Sequence, residues 1–436
     1  MKVMSEIVDV KGRQILDSRG NPTISVKVSL ESGVSGVACA PSGASTGEYE
    51  AYEKRDNDNS IYGGKSVNSV IEGINDIIAK SLNGIDSYSQ RLVDDIMINL
   101  DGTQNKSNLG ANAILAVSLA TAVASAAELE IPIYRYLGGV NAHVLPVPMM
   151  NILNGGKHAN NMLDFQEFMI VPAGAKSFEE ALRMGAEVYQ KLKKVLDDKN
   201  MPTSVGDEGG FAPHLQNNME AIVLIMEAIE KARYQPGKDI FIALDPAASE
   251  FYANGKYVLK EAGKKTTLKA DEMVAMYAGY VERFPIISIE DGMAQDDFNG
   301  FSLLLKEIGD KVQIVGDDLT VTNPNRIIQA ACSHSINSVL IKLNQIGSLS
   351  QTLDAVELTQ KNNMSAVISH RSGETEDTFI ADLSVAVNSG LIKTGAPARS
   401  ERVAKYNRLL QIEEELGPNS SYLGLKAFKG AGSRLS

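Results

Sequence analysis

In the second half of the chain, short apolar runs end on polar residues one after another. Phe241-Ile242-Ala243-Leu244 ends at Asp245, Ile286-Ile287-Ser288-Ile289 at Glu290, and Ser338-Val339-Leu340-Ile341 at Lys342. Val312-Gln313-Ile314-Val315 leads to Asp317, and Ala366-Val367-Ile368 to His370. A weaker run, Leu391-Ile392, ends at Lys393. Continuous apolar runs read as strands buried on both faces. A polar residue where each one stops puts a row of reactive groups on one shared rim. The rim positions step by 45, 27, 25, 28 and 23 residues. A step of about 25 has room for one strand, one loop and one helix.

Helical spacing fills the intervals, over about residues 218–234, 270–283, 299–309, 323–332, 347–362 and 375–389. This is the beat of a (β/α)8-type barrel, an α/β fold whose chemistry sits at the C-terminal strand ends. A doubly wound open sheet alternates in the same way, but so many consecutive reactive strand ends favour the barrel. The first part of the chain reads differently. Ile24, Val26 and Val28 alternate with Ser25, Lys27 and Ser29, as in a half-exposed strand. From Ser66 to Gly138 the spacing turns helical, with Val67, Val70 and Ile71 on one face and Ile74, Ile77 and Ile78 on one face. Strands followed by helices predict a smaller N-terminal α+β domain. Gly138-Gly139 and Pro146-Val147-Pro148 punctuate the chain, giving expected domains of residues 1–140 and 141–436.

A net charge of -12 argues against nucleic acid as the main partner, because phosphate backbones want a basic face. Cys39 and Cys332 lie far apart and offer neither zinc spacing nor a disulfide framework, which fits a reducing cytosol. The start, Met1-Lys2-Val3-Met4-Ser5-Glu6, lacks a signal-peptide apolar core. Gly110 to Ala127 is uncharged but rich in Ala, Ser, Thr and Asn, so a closely packed buried helix is expected rather than a membrane span.

Asp245, Glu290 and Asp317 are oxygen donors on successive strand ends, a set that suits a hard cation such as magnesium. Strand-end acids also cap helices, and Asp291 and Asp318 are adjacent alternatives as ligands. Lys342 ends a run that should be buried, and a buried lysine makes a plausible general base; the plainer reading pairs it with a rim acid. Lys393 repeats the theme. Two glycine-rich loops carry further groups: Ser204-Val205-Gly206-Asp207-Glu208-Gly209-Gly210-Phe211, with an acid able to deliver a proton, and Asn154-Gly155-Gly156-Lys157-His158, followed by Gln166-Glu167. Pro41-Ser42-Gly43-Ala44-Ser45-Thr46-Gly47 has the small residues of a lid. Ser369-His370-Arg371-Ser372-Gly373-Glu374 puts an arginine and two serines at a strand end, a pattern that serves phosphate or caps a helix.

Taken together these segments resemble the enolases along essentially the whole chain. Leu16 to Thr23, Pro41 to Gly47, Asn105-Lys106-Ser107 with Gly110 to Leu115, and Asn154-Gly155-Gly156 carry the likeness. So do Gln166-Glu167-Phe168, Gly206 to Phe211, Ala247 to Tyr252, Ile289-Glu290-Asp291 and Gly316-Asp317-Asp318. The last are Lys342 with Asn344 to Gly347, His370 to Asp377, and Arg399-Ser400-Glu401-Arg402. The resemblance implies an N-terminal α+β domain carrying the lid and a barrel with irregular first strands. It implies a phosphopyruvate hydratase, a lyase of glycolysis and gluconeogenesis that reversibly dehydrates 2-phospho-D-glycerate to phosphoenolpyruvate. Two Mg2+ per site are implied, the first on Asp245, Glu290 and Asp317 and the second on Ser45 with substrate oxygens. Lys342 would be the base, its pKa lowered by the metals and Lys393, and Glu208 the acid, its pKa raised. His158, Gln166 and Glu167 would line the substrate site. His370, Arg371, Ser372 and Lys393 would bind the phosphate and carboxylate ends of this small phosphorylated acid. A homodimer or higher homo-oligomer and a secondary presence at the cell surface are implied by the likeness alone, and it also implies the cytoplasmic location that cysteine usage already fits. His214, Leu343 and Phe298 depart from common family residues, and the chain has no tryptophan. Racemases and cycloisomerases of the same superfamily, or a purely adhesive role, are the competing readings.

Overall fold

The computed structural model describes residues 4–44, 47–159, 161–261 and 264–431. Three antiparallel strands open it: β1 (Ile7–Leu16), β2 (Pro22–Leu30) and β3 (Ser35–Cys39). Ile24, Val26 and Val28 face inward from β2, as their alternation predicts, and pack under the helix Ala111–Glu128. That helix is long and apolar enough to cross a membrane, yet 83% of it is buried inside the protein. Its alanines and serines let the sheet approach closely, so it works as a core helix. One helical face differs from the expectation. Ile74 and Ile78 are buried, but Ile77 is 46% exposed. The segment Gly73–Ile78 is a π-helical stretch, whose wider winding rotates Ile77 out of the buried stripe.

Eight strands then close a barrel: β4 (Val147–Asn154), β5 (Glu167–Val171), β6 (Phe241–Asp245), β7 (Ile286–Glu290), β8 (Gln313–Gly316), β9 (Ser338–Ile341), β10 (Ser365–Ser369) and β11 (Leu391–Lys393). β11 pairs with β4 to complete the ring. All neighbours are parallel except β5, which runs antiparallel to both β4 and β6. The helices Ala270–Arg283, Phe298–Ile308, Pro324–Cys332, Leu349–Lys361 and Phe379–Ala386 occupy the expected intervals, so the architecture is the α/β barrel with a smaller N-terminal domain.

Side chains alternate between the inside and outside of each strand. Val147, Met149, Met169, Val171, Phe241, Ala243, Val315, Leu340, Val367 and Leu391 form one apolar cluster within the ring, sealed below by Ala427 and Phe428. Ile242, Leu244, Ile314, Val339, Ile341, Ile368 and Ile392 belong to the separate cluster shared with the outer helices. The inward parity carries on to the rim. Asn151 follows Met149 by two residues, Asp245 follows Ala243, Asp317 follows Val315, Lys342 follows Leu340 and Lys393 follows Leu391. The packing that buries the apolar layers therefore aims these polar side chains into the barrel mouth.

Candidate active site

Lys393 stands at the centre of the mouth, 2% exposed. Its Nζ donates to Asp245 Oδ2 (2.9 Å) and to Glu290 Oε1 and Oε2 (2.8 and 2.9 Å), and lies 3.2 Å from Glu167 Oε1. Burial opposes its charge, but these three carboxylates outweigh burial and hold the ammonium well above its ordinary pKa. Lys342 Nζ sits 2.5 Å from Asp317 Oδ2. Gln345 Nε2 donates to the other oxygen, Asp317 Oδ1, at 2.8 Å, and Thr322 Oγ1 donates to Gln345 Oε1 at 2.7 Å. The lowering of the Lys342 pKa implied by the resemblance would be the work of bound metals with Lys393; the protein's own groups set the following balance. Burial does push it down, yet the adjacent Asp317 carboxylate more than compensates and leaves it raised. Burial likewise would raise Asp317, and the Lys342 ammonium brings it below the usual carboxylate range.

Glu208 arrives on the loop between the helices Phe178–Asp198 and Asn218–Lys231, within the long connection from β5 to β6. Gly206 and Gly210 let that loop lie against the 154–158 loop: a Cβ on Gly206 would stand 2.5 Å from His158 O, and one on Gly210 2.4 Å from Asn154 Oδ1. Asn151 Nδ2 donates to Glu208 Oε2 at 3.0 Å. His370 Nε2 lies 3.4 Å from Oε2 and His158 Nδ1 lies 3.8 Å from Oε1. The expected upward shift of Glu208 is reversed here. Burial alone would raise it, but the two imidazoles and the Arg402 guanidinium hold it well below the usual range. Burial, with the Arg402 cation beside it, brings His370 down to about 4 against the pull of Glu208. Burial also keeps His158 below the ordinary imidazole value.

The remaining predicted residues meet in the same place. His158, Gln166, Glu167, Glu208, Asp245, Asp317, Lys342, His370, Arg371, Ser372 and Lys393 line one cavity, joined by Asp291 and Asp318. Glu290 lies just beneath, bonded to Lys393. Arg371 reaches across to the N-terminal domain, donating to Glu50 Oε2 (2.8 Å) and to Asn344 Oδ1 (2.9 Å). Ser372 Oγ accepts from Ala44 N at 2.7 Å, at one flank of the proposed lid. Ser45 lies outside the described residues. Glu50, Asn151, Gln345 and Arg402 were not singled out for roles from sequence. Each acts on a residue far away in the chain, so no local spacing marks it.

Hard-cation chemistry fits this set. Oxygens of Asp291, Asp317 and Asp318 lie within 4.8 Å of one another, as do ligand atoms of His158, Glu167 and Glu208. The carboxylates repel. Burial and Asp245 raise Glu290 well above its usual value, burial and Glu208 do the same for Glu167, and burial with Asp318 does so for Asp291. Burial and Asp317 push Asp318 up to about 7. Glu167 Oε2 and Gln166 Nε2 are buried with no hydrogen bond among the described residues. Crowded, repelling carboxylates with an unsatisfied oxygen are what a divalent cation relieves.

Two family models cover the chain. One, described as the enolase C-terminal TIM barrel domain, matches residues 142–431. The other, described as the enolase N-terminal domain, matches residues 7–137. With its closed eight-stranded barrel and acid-crowded mouth, the chain belongs to the enolase family and is a lyase of the enolase superfamily.

Proposed function

We propose that the chain is a phosphopyruvate hydratase that interconverts 2-phospho-D-glycerate with phosphoenolpyruvate and water. The observation that carries this reading is the placement of base and acid candidates. Lys342 follows β9, whereas Glu208 is held against β4, whose Asn151 donates to it and whose Leu153 bridges to Phe211; the ring order sets those strands three apart among eight. The two groups therefore address the mouth from different sides. Such a pair can take a proton from one face of a bound acid and help a hydroxyl leave from the other.

Lys342 would abstract the C2 proton. A cation held by Asp317 would offset the negative charge that now faces Lys342 and would leave the amine freer to accept that proton. Glu208, held by Asn151 and faced by two imidazoles, would assist the departing hydroxyl. Arg371 and Ser372 would receive the phosphate, arginine by its planar fork of donors. Asp245, Glu290 and Asp317 would hold one Mg2+, with Asp291 and Asp318 alongside; Ser45 is the candidate for a second. Bound there, the ions supply positive charge against the negative charge that grows on the substrate carboxylate.

The test is a magnesium titration with 2-phospho-D-glycerate, followed by the ultraviolet absorbance of the conjugated product. Absorbance should rise with magnesium and stay flat in chelator. A flat trace at saturating magnesium would remove the hydratase reading and return the chain to the proton-abstracting racemases and cycloisomerases of its superfamily.

A further inference from the structure

His370 meets a different partner on each ring nitrogen. Arg402 Nη1 lies 2.6 Å from Nδ1, and Glu208 Oε2 lies 3.4 Å from Nε2. A guanidinium offers hydrogen-bond donors, has no acceptor and keeps its charge in proteins. A short contact from it to Nδ1 requires a lone pair on that nitrogen. A neutral imidazole with its lone pair on Nδ1 carries its hydrogen on Nε2.

Arg402 is well placed to impose this. It is fully buried on the helix Ser400–Leu416. Its Nη1 also donates to Arg371 O (2.6 Å), and its Nη2 to Ser372 O (2.5 Å) and Asp207 O (3.1 Å). One guanidinium thus ties the strand-end loop of His370 to the glycine-rich loop of Glu208. Its stem passes Gly395, at φ +83°, where a Cβ would stand 2.8 Å from Arg402 Cδ and 2.9 Å from Glu208 O. Glu401 Oε1 lies 3.6 Å from Arg402 Nε and is shared with Arg399, whose Nε donates to it at 2.6 Å.

We propose that Arg402 is a positioning residue that locks His370 as the neutral Nε2–H tautomer; that buried N–H lies 3.4 Å from Glu208 Oε2 and makes no hydrogen bond among the described residues, so it is a donor held ready for Glu208 and the oxygen Glu208 serves. Its catalytic consequence rests on the reading of Glu208 as the acid. The low proton affinity that burial and Arg402 give the ring agrees with a neutral imidazole. With Nδ1 occupied, His370 does not take up a second proton near neutral pH, so it does not relay one to Glu208 there. Its work is to orient that carboxyl.

The experiment is nitrogen-15 NMR of the full-length protein labelled at histidine. The chain has 5 histidines, and the His370 signals are assigned by their loss in H370N. Near neutral pH and without substrate, Nδ1 should give an unprotonated signal and Nε2 a protonated one. An Nδ1–H ring or an imidazolium under those conditions overturns the proposal. A second arm uses R402K, which keeps the cation and loses the fork, with folding checked by circular dichroism. It should mix the tautomers and lower kcat by roughly 10- to 100-fold, with KM little changed. Wild-type tautomer and wild-type kcat in folded R402K also overturn it, and if R402K does not fold, the wild-type spectrum decides. Absence of dehydration in the wild type, with the Nε2–H signal in place, would sink the hydratase reading and leave the tautomer assignment standing.

Discussion

β4 and β5 meet antiparallel through the 155–166 loop, whereas β6 to β11 run parallel with at least one helix in every crossover. The two arcs deliver chemistry to the rim by different rules. A parallel strand presents its last residue, hence Asp245, Glu290 and Lys393, or the residue just beyond, hence Asp317 and Lys342. β5 points the other way, so its first residue, Glu167, is the one on the rim, paired in register with Asp245. The chemistry divides accordingly. The parallel arc carries the ammonium–carboxylate pairs suited to a base and a cation. The irregular arc, with its two glycine-rich loops, carries the carboxyl of Glu208 among imidazoles.

The sharpest way to break this division is a pair of variants. K342A should abolish exchange of the substrate C2 proton with solvent deuterium and cut turnover by about 10²- to 10⁴-fold, the usual worth of a general base. E208Q should cut dehydration by a similar factor while C2 exchange persists. Isotope exchange measured beside product absorbance separates the two. Equal loss of both reactions in E208Q would show that the arcs do not have separate roles.

The contrast also explains what could be read from sequence. The helix expected over 270–283 is Ala270–Arg283, and the one expected over 375–389 shrinks to Phe379–Ala386 because residues 375–378 stay in the loop that follows His370. Parallel strands report themselves twice, by an apolar run and by the polar residue that ends it. Glu167 precedes its run, so the strand-end rule misses it; it shows only as part of Gln166-Glu167 after a glycine-rich loop, and its role comes through the likeness to a known family. The pKa direction of Glu208 was not legible in the sequence for a related reason. It depends on which charges lie nearest in space, here the imidazoles with Arg402.

The imidazoles that face Glu208 should also answer acid, and one of them, His370, reaches it from the end of β10 on the parallel arc. His370 has a folded-state pKa of about 4, below the ordinary imidazole value. Between those values the unfolded chain binds more protons than the folded one, so stability rises with pH there. The contribution is fully present above about pH 6.5, is lost progressively down to about pH 4, and amounts to about 3 kcal/mol at most. Urea unfolding of wild type and H370N across that window should show curves that converge as the pH falls. Parallel curves would mean that His370 is already charged in the folded protein, which would unmake the neutral-imidazole side of the comparison.

The smallest effects should come from the two amides that hold the arcs' carboxylates. Asn151 donates to Glu208 on the irregular arc and Gln345 donates to Asp317 on the parallel arc. Each bond is to a buried charged group, where loss of the donor costs about 1.5–3 kcal/mol. N151A should therefore slow dehydration by roughly tenfold or somewhat more and leave C2 exchange near normal. Q345A should leave the balance of exchange and dehydration unchanged but raise the magnesium concentration needed for half-maximal activity, by roughly 10-fold. The asymmetry matters more than either magnitude. The donors are chemically alike and both buried, so different kinetic signatures can come only from the carboxylate each one holds. If both variants shifted magnesium dependence alike, Glu208 and Asp317 would belong to one cation-binding unit, and the division between the antiparallel start and the parallel remainder of the barrel would describe its topology without describing its chemistry.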